Sequence, residues 1–143
     1  MTENARTTRK LCVLVADDDR ARADDLAMIV RSSGHEAWVV HDGEAALRLA
    51  ADRWPDIGVL GLGSAGYEVA RRLRQLPSTR SALLLALTGY GQAQDRRRAE
   101  EAGFDRHFAK PADPTALLAA VDEWVHGLGR DLPAAAPPFV NAS

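Results

Sequence analysis

Five short apolar runs, each followed by a stretch with helical periodicity, limit the folds open to this chain more than any other feature. The central unit, residues 54–76, has an apolar run, a glycine-rich turn and then Val69, Ala70 and Leu73 at three- and four-residue spacing. Continuous apolar runs are typical of parallel strands covered on both faces, and the spacing predicts a helix with one apolar stripe. Alternating units of this kind predict an α/β fold with a parallel sheet between helices.

Capping and breaking residues set the limits of these units. Asp19 is placed to cap the first helix, Gly34 to end it, and Pro77 to stop the third helix. The fourth helix has little more than alanine on its inner face, so we expect it to be the least firmly held. The predicted strands are residues 11–16, 36–41, 57–62, 82–87 and 105–109. The first, fourth and fifth predicted helices are residues 20–33, 91–102 and 114–126; the second follows Asp42-Gly43 and carries Ala46, Leu47 and Ala50, and the third ends before Pro77.

Length and composition indicate one domain and exclude several classes of protein. The 143 residues predict a flexible leader over residues 1–9, a folded domain over 10–127 and a Pro- and Ala-rich tail over 128–143. A net charge of -2 gives no electrostatic reason to bind nucleic acid, and no apolar run reaches the ~20 residues of a membrane span. Because Cys12 is the only cysteine, no disulfide framework exists, and we expect a cytoplasmic protein.

Polar residues lie at the carboxyl ends of three predicted strands. Asp17, Asp18 and Asp19 follow the first strand, Thr88 follows the fourth, and Lys110 follows the fifth. In a doubly wound parallel sheet the carboxyl ends of the strands meet at one edge, where ligands bind. Carboxylates, a hydroxyl and an ammonium group there predict a pocket suited to a divalent cation and a phosphoryl group.

Six segments, in order, resemble the receiver domain of bacterial two-component response regulators over residues 11–126. The segments are VLVADDDR, HDGEAAL, PDIGVL, GYEVARRLRQ, ALTGYG and AGFDRHFAKP. The resemblance implies a flavodoxin-like (βα)5 fold with strand order 2-1-3-4-5. It also implies that Asp17 and Asp18 hold Mg²⁺, that Thr88 contacts the phosphoryl group, and that Lys110 bridges to it before a cis bond to Pro111.

The central strand departs from the family pattern. The family ends this strand with the aspartate that accepts the phosphoryl group, whereas the aligned residue here is Gly61, and the loop to Gly66 is shorter than usual. Asp56 lies at the wrong end of the strand and Glu68 lies in the next helix. We therefore predict no phosphorylation of the usual kind, no required cofactor, and at most a weak, hydrated Mg²⁺ site on the two remaining carboxylates.

Three alternatives remain open around this pocket. Ser64 is a candidate substitute acceptor, although a serine in such a turn is more often only a turn residue. Lys110 is a candidate to neutralise the acidic pair without any metal. The spacing of Gly61, Gly63 and Gly66 matches a phosphate-cradling turn, which leaves a small-anion or nucleotide sensor as a second candidate function.

Docking to other signalling proteins is the function we expect first, with no enzymatic activity. By resemblance, the fourth helix, fifth strand and last helix form the face that docks kinases or other regulators, or a second copy of the chain. That region contains Ala93, Ala99, His107, Leu118 and Trp124. We interpret His107 as a half-buried strand histidine, or alternatively as a pH-sensitive switch. A phosphorelay receiver with an unusual acceptor is the third candidate function, and we expect no output domain after residue 126.

Overall fold

A computed structural model of the chain describes residues 10–88, 93–109 and 113–125. The described residues contain a five-stranded parallel sheet in the order β2-β1-β3-β4-β5, which confirms the predicted fold class and strand order. The strands are β1 (Cys12–Asp17), β2 (Glu36–Val40), β3 (Ile57–Gly61), β4 (Leu83–Thr88) and β5 (Arg106–Ala109).

Each strand is followed by a helix, as the periodicity predicts. The helices are α1 (Arg20–Ser32), α2 (Gly43–Arg53), α3 (Ala65–Gln75), α4 (Ala93–Ala102) and α5 (Pro114–Val125). The side chain of Asp19 caps α1, and Gly34 has a φ of 92°, the left-handed geometry expected just after the helix. The predicted leader, the tail and the Lys110-Pro111 bond lie outside the described residues.

The sheet separates two apolar cores. Leu26 and Val30 of α1 and Leu117 and Val121 of α5 pack on one face. On the other face, α2, α3 and α4 pack through a core in which α4 contributes Ala99 and Ala102, together with Phe104 just beyond its end. The small inner side chains of α4 match the sequence analysis, and the low stability expected of this helix stays a prediction. In the described part of the chain, no helix has the length and apolar character needed to span a membrane.

The strand register brings the candidate site residues to one edge of the sheet. Asp17 is the last residue of β1 and is paired with Gly61, the last residue of β3. Thr88 is the last residue of β4 and is paired with Ala109 of β5. The carboxyl ends of four neighbouring strands therefore form the edge at which the polar pocket was predicted.

Candidate functional site

Asp17 and Gly61 form the centre of this edge. The side chain of Asp17 is fully buried, and Gly61 beside it is buried and carries no side chain. The carboxylate of Asp17 is therefore shielded from water. Gly61, at the end of β3, adds no charged group beside it. A buried carboxylate needs a compensating charge and hydrogen-bond donors if it is to remain ionised.

Arg22 supplies that charge. Its Nε donates to Oδ2 of Asp17 at 2.7 Å and its Nη2 donates to Oδ1 at 2.9 Å, so both carboxylate oxygens accept from one guanidinium group. The main-chain N–H of Asp19 also donates to Oδ1 of Asp17, at 2.9 Å. The hydrogen bond with Asp17 is the main cause that raises the pKa of Arg22 above its usual value. The pair is a fork-to-fork ion pair of the kind only arginine can make.

The other two carboxylates of the acidic run lie outside this buried pair. The side chain of Asp18 is 69% exposed, and its Oδ1 is 3.9 Å from Nη2 of Arg22. The side chain of Asp19 accepts from the main-chain N–H of Arg22 at 3.0 Å, which is the capping role predicted for it. Of the two residues expected to hold Mg²⁺, the structure buries Asp17 and leaves Asp18 in solvent.

Thr88 and His107 form the second part of the edge. Oγ1 of Thr88 lies 2.6 Å from Nε2 of His107. The prediction that His107 is half-buried was wrong, because its exposed fraction is 1%. Phe108 packs on the side of the sheet that carries α1 and α5, so strand alternation directs His107 to the opposite side, where α4 packs against β5.

Lys110, the remaining predicted pocket residue, lies outside the described residues, as do residues 89–92. Another polar contact at this edge involves His41, whose Nδ1 lies 3.1 Å from the main-chain oxygen of Asp17. His41 follows β2, so the strands on both sides of β1 contribute to the surroundings of Asp17. Sequence analysis did not single out His41.

The glycine-rich turn uses its main-chain groups internally. Gly63 has a φ of 63°, the N–H of Gly66 donates to the oxygen of Gly63 at 3.0 Å, and the N–H of Tyr67 donates to the oxygen of Ser64 at 3.3 Å. The amides of Gly66 and Tyr67, two of those that a phosphate cradle could direct at an anion, are therefore engaged within the turn. The Ser64 side chain is exposed and makes no capping hydrogen bond to α3.

The two acidic residues nearest to Gly61 in the sequence have structural contacts elsewhere. Asp56 lies at the opposite end of β3, where its Oδ2 accepts from the main-chain N–H of Cys12 at 2.9 Å. Glu68 lies on α3 and accepts from Arg71 and Arg72 on the helix surface. The structure therefore agrees with the sequence analysis that neither carboxylate lies at the end of β3.

Three residues named for the docking face lie inside the protein. Ala99 and His107 are almost fully buried, and Trp124 has an exposed fraction of only 7%, so these side chains cannot form an outer surface. Leu118 is partly exposed. The side chain of Ala93 lies outside the described residues. Arg106 and Glu123, whose side chains are joined at 2.7 Å, link β5 to α5 on this side of the molecule.

A comparison with protein families identifies the family to which this chain belongs. Residues 13–122 match the family model described as the response regulator receiver domain. The chain belongs to the response regulator receiver family. Its receiver domain is 30% identical over 122 residues to an uncharacterised 14.6 kDa protein of Leptolyngbya boryana, covering 83% of this chain and 93% of that protein.

Other proteins are similar to this chain in sequence or in fold. The DNA-binding dual master transcriptional regulator RpaA of Synechocystis is 32% identical over 112 residues, which cover 76% of this chain and 46% of RpaA. This chain thus matches about half the length of most of the curated relatives. A CheY-like receiver domain protein of Methanospirillum hungatei has the same fold, with a TM-score of 0.75 at 20% identity over 86% of this chain and 99% of that one.

Proposed function

We propose that this receiver domain is a protein-binding module of two-component signalling whose activity does not depend on aspartate phosphorylation. The observation that carries the proposal is the end of β3, where Gly61 lies beside a buried Asp17 that is already paired with Arg22. Phosphoryl transfer to a receiver requires an anionic oxygen in line with the donor phosphorus and a cation to spread the developing charge. Gly61 supplies no oxygen nucleophile.

The contacts of the second part of the edge support the same proposal. The Thr88 hydroxyl, which by family resemblance would contact a phosphoryl group, lies within hydrogen-bond distance of His107. The partly exposed Arg106–Glu123 ion pair joins β5 to α5. In both contacts the partner is a side chain of the domain itself, which supports a face whose arrangement does not depend on an added group.

The partners that we propose are a histidine kinase, another response regulator or a second copy of this chain. Receiver domains in general interact with kinases or other regulators, and here the surface around β5 and α5 is the proposed docking site. The role is binding alone, with no catalysed reaction. The internally bonded glycine turn gives no observation in favour of the alternative role as an anion or nucleotide sensor.

Labelling with a phosphodonor tests the proposal. Purified protein is incubated with radiolabelled acetyl phosphate and Mg²⁺, and acid-stable and acid-labile label are measured separately with time. We expect no retained label, and an unchanged distribution of monomer and dimer on size-exclusion chromatography. Label that remains on the protein would contradict the proposal. In that case Ser64→Ala decides whether the exposed turn serine is the acceptor.

A further inference from the structure

Receiver domains are expected to bind Mg²⁺, but the described residues of this edge do not fit that ion. Magnesium requires near-octahedral oxygen ligands, mostly from carboxylates and water. Here both oxygens of Asp17 already accept from Arg22, Asp18 is directed into solvent, and Gly61 offers no ligand. Across the described part of the chain, no three His, Cys, Asp or Glu side chains are grouped to hold a metal ion.

The position of Arg22 would be unfavourable without these carboxylates. It lies in the first turn of α1, where the helix macrodipole disfavours a positive charge. Three acidic side chains surround it: Asp17 at 2.7 Å, Asp19 at 3.5 Å and Asp18 at 3.9 Å. The guanidinium group therefore has the same set of anionic neighbours that would otherwise attract a cation from solution.

Arg22 is also held at both ends. Its main-chain N–H donates to the Asp19 side chain at 3.0 Å, and its guanidinium group makes two hydrogen bonds to the buried Asp17. Its side chain is 31% exposed, whereas that of Asp17 is fully buried, so the pair extends from the core to the surface. Ordering the side chain in this way leaves little freedom for Arg22 to withdraw and admit a metal ion.

We propose that the guanidinium group of Arg22 replaces the divalent metal ion of the acidic pocket. The pocket carries its cation as part of the chain and neither needs nor binds Mg²⁺. This inference goes beyond the proposed function, because it concerns the cation of the pocket and not the acceptor of a phosphoryl group. It follows that removing Arg22 leaves Asp17 as a buried anion that can recruit a divalent cation from solution.

Titration with Mn²⁺, followed by electron paramagnetic resonance in metal-free buffer without a phosphodonor, tests this inference. The variants are Arg22→Gln, the double variant Arg22→Gln with Asp17→Asn, and Arg20→Gln as the matched control. Arg20 lies in the same helical turn and is exposed, so its removal changes the net charge equally without a described contact to Asp17. Thermal unfolding is measured in parallel, with Mg²⁺ as competitor.

We expect no saturable Mn²⁺ binding by the wild type or Arg20→Gln, and saturable binding with a raised Tm for Arg22→Gln. The double variant should lose that binding. An Arg22→Gln chain that is unfolded without metal should refold when Mn²⁺ is added. Saturable binding by the wild type would overturn the inference, as would an Arg22→Gln chain that responds to no cation, whether folded or unfolded. A failure of the proposed function appears separately, as retained label in the phosphodonor experiment.

Discussion

Oγ1 of Thr88 lies 2.6 Å from Nε2 of His107, and this contact joins the carboxyl ends of β4 and β5. His107 is paired in the sheet with Ala86, so Thr88 is its diagonal neighbour on the adjacent strand. The residue that by resemblance would contact a phosphoryl group thus has a partner within the sheet. We infer that this part of the edge is held in one arrangement by its own side chains.

Replacing Thr88 with valine should destabilise the protein. Valine keeps the shape of the side chain but removes the hydroxyl group, so the buried ring nitrogen of His107 loses this partner, at a cost of about 1–3 kcal/mol. The free energy of unfolding in urea measures the effect. Thr115→Val, at an exposed position of α5, is the control and should change stability by less than about 0.5 kcal/mol. Equal effects of the two substitutions would contradict the prediction.

Arg74→Lys should destabilise the opposite end of the sheet. The guanidinium group donates to the main-chain oxygens of Gly103 at 2.8 Å and Ala82 at 2.7 Å, and to Asp105 at 2.7 Å. A lysine ammonium group cannot reach these acceptors in the same planar arrangement, so we expect a loss of about 2–3 kcal/mol.

Urea unfolding of Arg72→Lys provides the matched control for Arg74. Arg72 lies on the same helix but pairs with Glu68 on the exposed surface, where an ion pair contributes less than about 1 kcal/mol. The substitution at residue 72 should therefore have little effect on the urea midpoint. A midpoint for Arg74→Lys as high as that of Arg72→Lys would show that the partly buried hydrogen bonds of Arg74 do not support the fold.

Gly43→Ala should destabilise the protein even though alanine is the better helix former. A Cβ atom at residue 43 would lie 2.6 Å from Cγ2 of Val69, so α2 and α3 would have to move apart at a cost of about 1–3 kcal/mol. Combining it with Val69→Ala removes the contacting methyl groups. Thermal unfolding of the double variant should show a smaller loss than the sum of the single variants, and simple additivity would exclude the steric explanation.

Stability should decrease in acid through His35. Its Nδ1 accepts from the main-chain N–H of Leu11 at 3.1 Å, and burial lowers its pKa from the usual value of 6.5. The unfolded chain therefore binds the proton more readily, so this contribution is complete above pH 6.5 and is lost as the pH falls towards the lowered pKa. The charges of Asp122 and Asp56 act in the opposite direction and partly offset the effect of burial.

Urea midpoints measured across this pH range for wild type and His35→Gln test the prediction. Glutamine can still accept a hydrogen bond but does not titrate, so the variant should show the flatter dependence on pH. Because other groups contribute to the pH dependence of both proteins, the difference between the two curves is the quantity of interest. Parallel curves would mean that His35 makes no contribution.

Much of the fold could be predicted from the sequence because local and tertiary preferences agree. The apolar run predicted over residues 57–62 contains the fully buried β3, and the stripe of Val69, Ala70 and Leu73 forms the buried face of α3. Asp19 and Gly34 flank α1 in the geometry that their side chains and backbone favour. In these units the hydrophobic periodicity, the capping residue and the helix-ending residue indicate the same boundaries.

The partners within the site were harder to predict. Lys110 was considered as the neutralising cation, and the partner that the structure gives to Asp17 is Arg22. A basic residue in the first turn of a helix, three residues after the last of three consecutive aspartates, was the available signal. The burial of His107 was missed because it depends on how closely α4 packs against β5, and sequence alternation alone does not report that distance.

We infer that this edge is closed to the magnesium and phosphoryl chemistry of its family. Amide NMR signals of Asp17, Gly61 and Thr88 can be followed while Mg²⁺ and then beryllium fluoride, a phosphoryl analogue, are added. A sodium chloride series at equal ionic strength is the control. We expect no change beyond that of the control for any of the three amides. Saturable shifts at Asp17 and Gly61 on addition of beryllium fluoride would contradict the claim.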